Sequence, residues 1–283
     1  MTHICGLLQK CFEESELALI ETVKEKYHAL NEEMITHLFW CELRLAVTKR
    51  NNGENNWSNA LVQDLAASLP FQVPGLEHNH ELQEQLGGLL CDVQLHNHSR
   101  EGRTGGDFGI FTSLPVIEID NISQGVCCIP IRDRALLVQA KLGQKEGPFG
   151  KLTKPKEDRL LKNRDFSALV LYSYNDTNKT DLNRFAWLSC KRAQQGDMIR
   201  WLKKRVPVET LDSDNMIQQF LDSRLGTDDE KTINGWIANG NDKRPRFQLT
   251  INWPQRPKSD VMSFQLAHLV PQAASSFVND YQR

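Results

Sequence analysis

Two apolar runs carry the residues whose types could do chemistry. In GRTGGDFGIF, residues 102–111, Asp107 follows two glycines and opens an apolar stretch. In LLVQAKLG, residues 136–143, Gln139 and Lys141 close another. Alternate residues of a strand point to one face, so Gln139 and Lys141 share a face while Val138 and Ala140 take the other. A polar pair on so apolar a strand is costly to bury without partners, and an aspartate entering from a neighbouring strand is a suitable one. A carboxylate is a natural oxygen ligand for a hard cation, an amide carbonyl is a neutral one, and an ammonium can hold developing negative charge. Together these groups suit hydrolysis assisted by a bound cation.

The pattern resembles the PD-(D/E)xK nuclease superfamily in its variant with Gln in the acidic position. Asp after a Gly-rich turn and then Gln-x-Lys looks like the Mrr-type restriction nucleases. It is also similar to a group whose sequences read E-x-x-[IL]-T on a first helix, then G-A-D, then Q-A-K. The matching residues here are Glu32-Glu33-Met34-Ile35-Thr36, Gly105-Gly106-Asp107 and Gln139-Ala140-Lys141. The resemblance covers residues 30–190 of the chain. It implies an α/β fold with a restriction-endonuclease-like core, a mixed β-sheet flanked by helices, N-terminal helices and a C-terminal accessory region. It further implies a Mg²⁺ (or Mn²⁺)-dependent endonuclease, favouring DNA over RNA, in bacterial anti-phage or foreign-DNA defence. Related nucleases often work as dimers, so a homodimer is an expectation.

On that resemblance Asp107, Gln139 and Glu32 hold the cation, with the Ala140 carbonyl as a further ligand, and Lys141 orients the attacking water. Glu32 is preferred to Glu33 because it lies four residues before Thr36, and Glu101 is a further candidate. Lys141 is expected at the exposed end of its strand. Two basic runs lie nearby: eight Lys/Arg against three acids from Lys141 to Arg164, and six against one from Lys191 to Arg205. Lys151, Lys154, Lys156 and Arg159 are expected to bind phosphate backbone, with the Arg200–Arg205 cluster flanking the same cleft. Solvated surface is the competing reading of both runs. Trp201, amid basic residues, suits a buried helix face better than base stacking.

The elements that must position these residues are partly visible. Residues 12–50 read as two helices, from Leu17, Leu19, Ile20 and Val23 and then Met34, Ile35, Leu38, Phe39, Leu43 and Leu45, with Asn31 capping the second. NNGENNWSN is a loop, and 60–69 a short helix closed by Pro70. Strands are expected at Leu89–Leu95, Phe108–Phe111, Val116–Ile119, Val126–Ile131, Ala135–Leu142, Ser167–Tyr174, Phe185–Cys190 and Arg246–Trp253. Residues 155–164 and 195–240 suit helices. The reading divides the chain into a helical region at 1–60, a nuclease-like core at 61–194 and accessory elements at 195–283. Asp107 and Gln139 are 32 residues apart, which calls for an extra strand pair around Asn121–Gly125 if they are to meet.

Composition excludes several classes. No apolar run approaches the ~20 residues of a bilayer span, and the N-terminus lacks a secretory pattern, so a cytoplasmic chain with no membrane partner is expected. Seven cysteines without CxxC argue against a disulfide framework or a thiolate zinc site and for buried thiols. The net charge of -2 advertises no polyanion partner by itself. There is no P-loop, His96-Asn97-His98 lacks the context of an HNH nuclease, and His78, His80, His96 and His98 lack zinc-site partners. Two rivals stand beside the enzyme. One is a decayed nuclease fold that binds nucleic acid or a protein; the other is an interaction protein in which Asp107 and Lys141 lie far apart.

Overall fold

The strand carrying Gln139 and Lys141 is the axis on which the sheet is built. The computed structural model describes residues 2–26, 30–52, 56–68, 76, 83, 87–95, 106–115, 126–143, 150–173, 182–191, 193–204, 210–237, 245, 247–253 and 261–265. In chain order the strands are β1 (Leu90–Leu95), β2 (Phe108–Pro115), β3 (Val126–Leu142), β4 (Ser167–Tyr172), β5 (Ala186–Ser189), β6 (Phe247–Asn252) and β7 (Val261–Gln265). Six of them form a mixed sheet in the order β1-β6-β2-β3-β4-β5. The β2–β3, β4–β5 and β1–β6 pairs are antiparallel, and β3–β4 and β2–β6 are parallel. The first residues of β3, Val126–Pro130, pair antiparallel with β7.

Helices cover both faces. Even-numbered residues of β2 and β3 (Phe108, Ile110, Leu136, Val138, Ala140) pack against α1 (Thr2–Lys26), α2 (Glu32–Lys49), α3 (Trp57–Ser68) and α6 (Ser213–Leu221). Odd-numbered ones (Phe111, Ala135, Leu137) pack against α4 (Lys154–Lys162), α5 (Asp197–Lys204) and α7 (Glu230–Ile237). This is an α/β chain with its sheet between two helical layers. Aromatic rings bind α2 to the sheet: Phe39 lies 5.0 Å from Phe185, just before β5, and Trp40 lies 4.9 Å from Phe108, centroid to centroid. Contacts of this geometry add to what ring burial already contributes. Among the described residues no helix is long and apolar enough to cross a membrane.

Several expectations need correction. The first helix starts at Thr2, not near residue 12, and Ile4, Leu8, Cys11 and Phe12 are all buried along it. Its first turn is capped from another helix: Asp64 of α3 accepts from the His3 N–H at 2.9 Å and the Ile4 N–H at 3.1 Å. A cap supplied from sixty residues away has no local signature. Of the apolar residues at helix-like spacing, Leu17, Met34 and Leu45 are exposed. Val126–Ile131 and Ala135–Leu142 are one strand of 17 residues, continuous through Arg132-Asp133-Arg134. The charged interruption is accommodated because Asp133 accepts from the Ser113 hydroxyl, while Arg134 donates to the Leu225 carbonyl at 3.1 Å and lies over the Phe220 ring.

The proposed strand pair around Asn121–Gly125, with Val116–Ile119, lies outside the described residues. The described ones already bring the two motifs together, because β2 and β3 form one long antiparallel pair. β6, from the region read as accessory, is hydrogen-bonded on both edges inside the sheet.

Candidate functional site

Glycine and register place the aspartate. The Asp107 N–H donates to the Val138 carbonyl at 2.8 Å, drawing the chain tight against β3 just before β2 begins. At Gly106 a Cβ would lie 2.6 Å from the Leu137 side chain and 3.1 Å from the Val138 carbonyl oxygen, so no side chain fits there. Phe108 is registered with Val138, and Asp107 therefore stands opposite Gln139. Opposite residues of an antiparallel pair project to the same face.

The side chains then interlock. Asp107 Oδ2 accepts from the Ala140 N–H at 2.9 Å and from Gln139 Nε2. Gln139 Nε2 also donates to the Ala140 carbonyl at 3.1 Å. Lys141 Nζ lies 3.0 Å from Glu32 Oε1 and 3.9 Å from Asp107 Oδ2. Lys156 Nζ, from the first turn of α4, lies 3.8 Å from Asp107 Oδ1. Among the described residues two carboxylates thus face two ammonium groups.

Glu32 is aimed by its own helix. Asn31 caps α2, its side chain accepting from the Met34 N–H at 2.9 Å, which fixes Glu32 in the first turn over the end of β3. The Glu32 Oε2 atom accepts from the Leu142 N–H at 3.1 Å. The Thr36 hydroxyl donates back to the Glu32 carbonyl at 2.8 Å and meets the Tyr172 hydroxyl at 3.0 Å. Burial pushes the Tyr172 phenol well above its ordinary range against the Thr36 hydrogen bond, and the charges of Glu32 and Asp107 push the same way. Tyr172 therefore stays protonated, and with the Thr36 proton given to the Glu32 carbonyl, the phenol donates to the Thr36 oxygen.

Gln139 is wholly buried, yet its Oε1 atom has no hydrogen-bond partner. A buried acceptor left unmade costs about 1–3 kcal/mol. Its amide nitrogen meanwhile faces two oxygens, Asp107 Oδ2 and the Ala140 carbonyl. The two ends of an amide have nearly the same shape. Turned through half a revolution, the amide would present a third oxygen to the other two, an arrangement that a bound cation would bridge. One carboxylate, one amide oxygen and one main-chain carbonyl form a hard donor set, suited to Mg²⁺ or Mn²⁺ and not to zinc. Among the described residues no group of three or more His, Cys, Asp or Glu stands ready for a metal.

The structure brings Asp107, Gln139, Lys141, Glu32 and Lys156 together. Glu33 is exposed, as are Lys151 and Lys154, and Arg159 is half-buried on α4. Arg200 is exposed on α5, which Glu157 of α4 ties in place, while Trp201 is half-buried against the second core. Glu101, Gly105, Arg205 and the four clustered histidines lie outside the described residues. Lys141 is not at an exposed strand end: it is 6 % exposed, enclosed by Glu32 and Asp107.

Sequence reasoning missed Tyr172, the last residue of β4. It missed Gly150 too, whose Cβ position is 3.7 Å from Lys141 Cδ and 3.8 Å from Glu32 Oε2. Neither carries a local signal. Lys156 was singled out for phosphate, and its pairing with Asp107 is new.

No family model matches the chain, and no curated protein or solved structure matches it either.

Proposed function

We propose that this chain is a metal-dependent phosphodiesterase acting on nucleic acid, DNA in preference to RNA, with a restriction-endonuclease-like core and a role in defence against foreign DNA. The observation that carries the reading is the buried Gln139 amide, one oxygen unpartnered, set between Asp107 Oδ2 and the Ala140 carbonyl and beside Lys141. Asp107, the Ala140 carbonyl and the Gln139 amide oxygen would hold Mg²⁺ or Mn²⁺, which when bound supplies polarisation of the scissile phosphate and acidification of a water. Lys141 donates to the attacking oxygen and holds the negative charge that develops on phosphorus oxygens. Glu32 is a positioning residue: its carboxylate, oriented by the Leu142 N–H, fixes the Lys141 ammonium. Lys151, Lys154 and Arg159 lie on or just before α4 and supply phosphate contacts along the strand.

A decayed fold that binds nucleic acid or a protein is the second reading. It is favoured by one observation: the donor set holds a single carboxylate where an acid in place of Gln139 would give two. Metal-dependent cleavage separates the readings. Pure protein with plasmid or with RNA is expected to cut in Mg²⁺, to stop in EDTA, and to lose activity in Lys141→Met. Retarded mobility of DNA in both Mg²⁺ and EDTA, with no cutting, would support the binding module instead.

A further inference from the structure

Charge balance at the site leads beyond the reading above, on which this inference rests. Among the described residues Asp107 and Glu32 supply two negative charges, and Lys141 and Lys156 two positive ones. Lys141 is 7 % exposed at its side chain and tied to Glu32 as well as Asp107, so it is not easily displaced. Lys156 is more open to solvent: its side chain is 28 % exposed and reaches Asp107 Oδ1 at 3.8 Å from the first turn of a neighbouring helix. A divalent cation on Asp107 would stand a few ångströms from that ammonium, and like charges at such range repel strongly in a partly buried site. Gln139 is neutral, and the Glu32 carboxylate is engaged by Lys141, so among the described residues neither offsets that repulsion directly.

We propose that Lys156 is a place-holder for the divalent cation, neutralising Asp107 in the resting site and passing to a phosphate of the nucleic acid when the cation binds. The first turn of α4 suits the second position. Thr153, its N-cap, makes no side-chain capping hydrogen bond, and Lys154 is exposed on the same turn. A helix N-terminus carrying lysines favours a phosphate. The buried unpartnered Gln139 oxygen is the independent sign that the adjacent position awaits a ligand. Metal and nucleic acid are then loaded together: each removes the charge that opposes the other, and linkage makes the effect reciprocal. The cation alone binds weakly, which keeps the site idle when no nucleic acid is present.

The test is Mn²⁺ binding to the full-length protein without nucleic acid, followed by loss of the free-ion electron paramagnetic resonance signal. Wild type, Lys156→Met, Lys156→Arg and Asp107→Asn are compared, with circular dichroism confirming the fold of each. Lys156→Met is expected to bind Mn²⁺ at least ~5-fold more tightly than wild type, the lower range of ordinary coupling between sites. Lys156→Arg keeps the charge and the wild-type affinity, and Asp107→Asn loses binding. In parallel, Lys156→Met is expected to bind a short DNA duplex more weakly, with a shallower salt dependence. Unchanged or weaker Mn²⁺ binding by Lys156→Met, while Asp107→Asn loses it, overturns the place-holder alone. Absence of Mn²⁺ binding in wild type and Lys156→Met alike overturns the metal site and this inference together.

Discussion

Two kinds of buried carboxylate occur in this molecule. Glu157, on α4, spends both oxygens on main-chain donors at the start of α5, accepting from the N–H of Gly196, just before the helix, and from the Ile199 N–H within it, at 3.1 Å each. Glu16, on α1, accepts from the Phe185 N–H at 2.6 Å and the Ser213 hydroxyl at 2.7 Å. These groups fasten one element to another: their hydrogen-bond donors are fixed parts of the backbone or of a helix start, and at Glu16 the Arg184 guanidinium stands 3.8 Å away besides. Asp107 and Glu32 also take one main-chain N–H each, but lysine ammonium groups stand at their other oxygens, and an unpartnered amide oxygen lies beside Asp107. A carboxylate closed off by backbone donors holds the fold together. One balanced by side-chain cations, next to an unmet acceptor, can exchange partners with a ligand.

Substitution should separate the two groups. Asp107→Ala is expected to remove cleavage by at least about 10³, the scale of a lost charge-stabilising group, and Lys141→Met to cost roughly 10²–10³. Because Lys141 is enclosed, its loss also leaves Glu32 short of a partner, and a fall of about 1–3 kcal/mol in stability follows. Adding Glu32→Gln to Lys141→Met should recover most of that stability and none of the cleavage. Thermal melts and initial cutting rates on the same preparations check both. A Lys141→Met chain that cuts normally would erase the distinction.

Glu157→Ala should show the reverse pattern. It strips a cap from α5 and leaves buried donors unmet, a cost of about 2–3 kcal/mol. That corresponds to a melting point lower by roughly 5–10 °C, with the cutting rate per folded molecule unchanged. Gln139→Glu sharpens the contrast further. A second carboxylate beside Asp107 in a wholly buried position should destabilise the metal-free protein by about 1–3 kcal/mol. Mg²⁺ should then raise the melting point of this variant more than that of wild type.

The apolar runs that begin β2, end β3 and form β4 were legible in the sequence, because apolar runs ending in Gly or a polar pair have few other uses. The pairing of Gln139 with Lys141 on one face followed from the two-residue period alone. What was not legible came from far along the chain. Asp64 caps α1, Arg134 turns a charged interruption into buried structure, and Tyr172 supports Thr36 from β4. Each depends on a partner at least sixty residues away, where spacing gives no hint. Lys141 was misplaced for a related reason: its enclosure by Glu32 depends on where α2 begins. The ligand that would complete the site cannot be read from periodicity, whereas the unmet Gln139 acceptor can be read only from packing.

The smallest expected effects are in pH dependence, and they carry opposite signs. Burial pushes the Glu16 carboxyl above its ordinary range, against hydrogen bonds from Ser213 and Phe185. A folded value above the unfolded one means that its contribution is present below the unfolded value and is lost as pH rises through the folded one. Glu16→Gln should therefore gain on wild type in melting point as pH climbs from about 4 toward neutrality. Burial also acts to raise the Asp64 carboxyl, but hydrogen bonds from the His3 and Ile4 N–H groups and the His3 ring outweigh it and hold the carboxyl below its ordinary range. Its contribution is present above the unfolded value and is lost as pH falls through the folded one. Asp64→Asn should then cost more at pH 7 than at about pH 3. Parallel pH trends for the two variants would contradict these assignments.

The most direct measurement is a crystal structure grown with Mn²⁺ and read by its anomalous scattering. The expected result is one peak about 2.1 Å from Asp107 Oδ2, the Ala140 carbonyl and the Gln139 amide oxygen, with that amide turned from its present orientation. A map with no peak there at saturating Mn²⁺, and the Gln139 nitrogen still facing Asp107, would contradict a metal-dependent site.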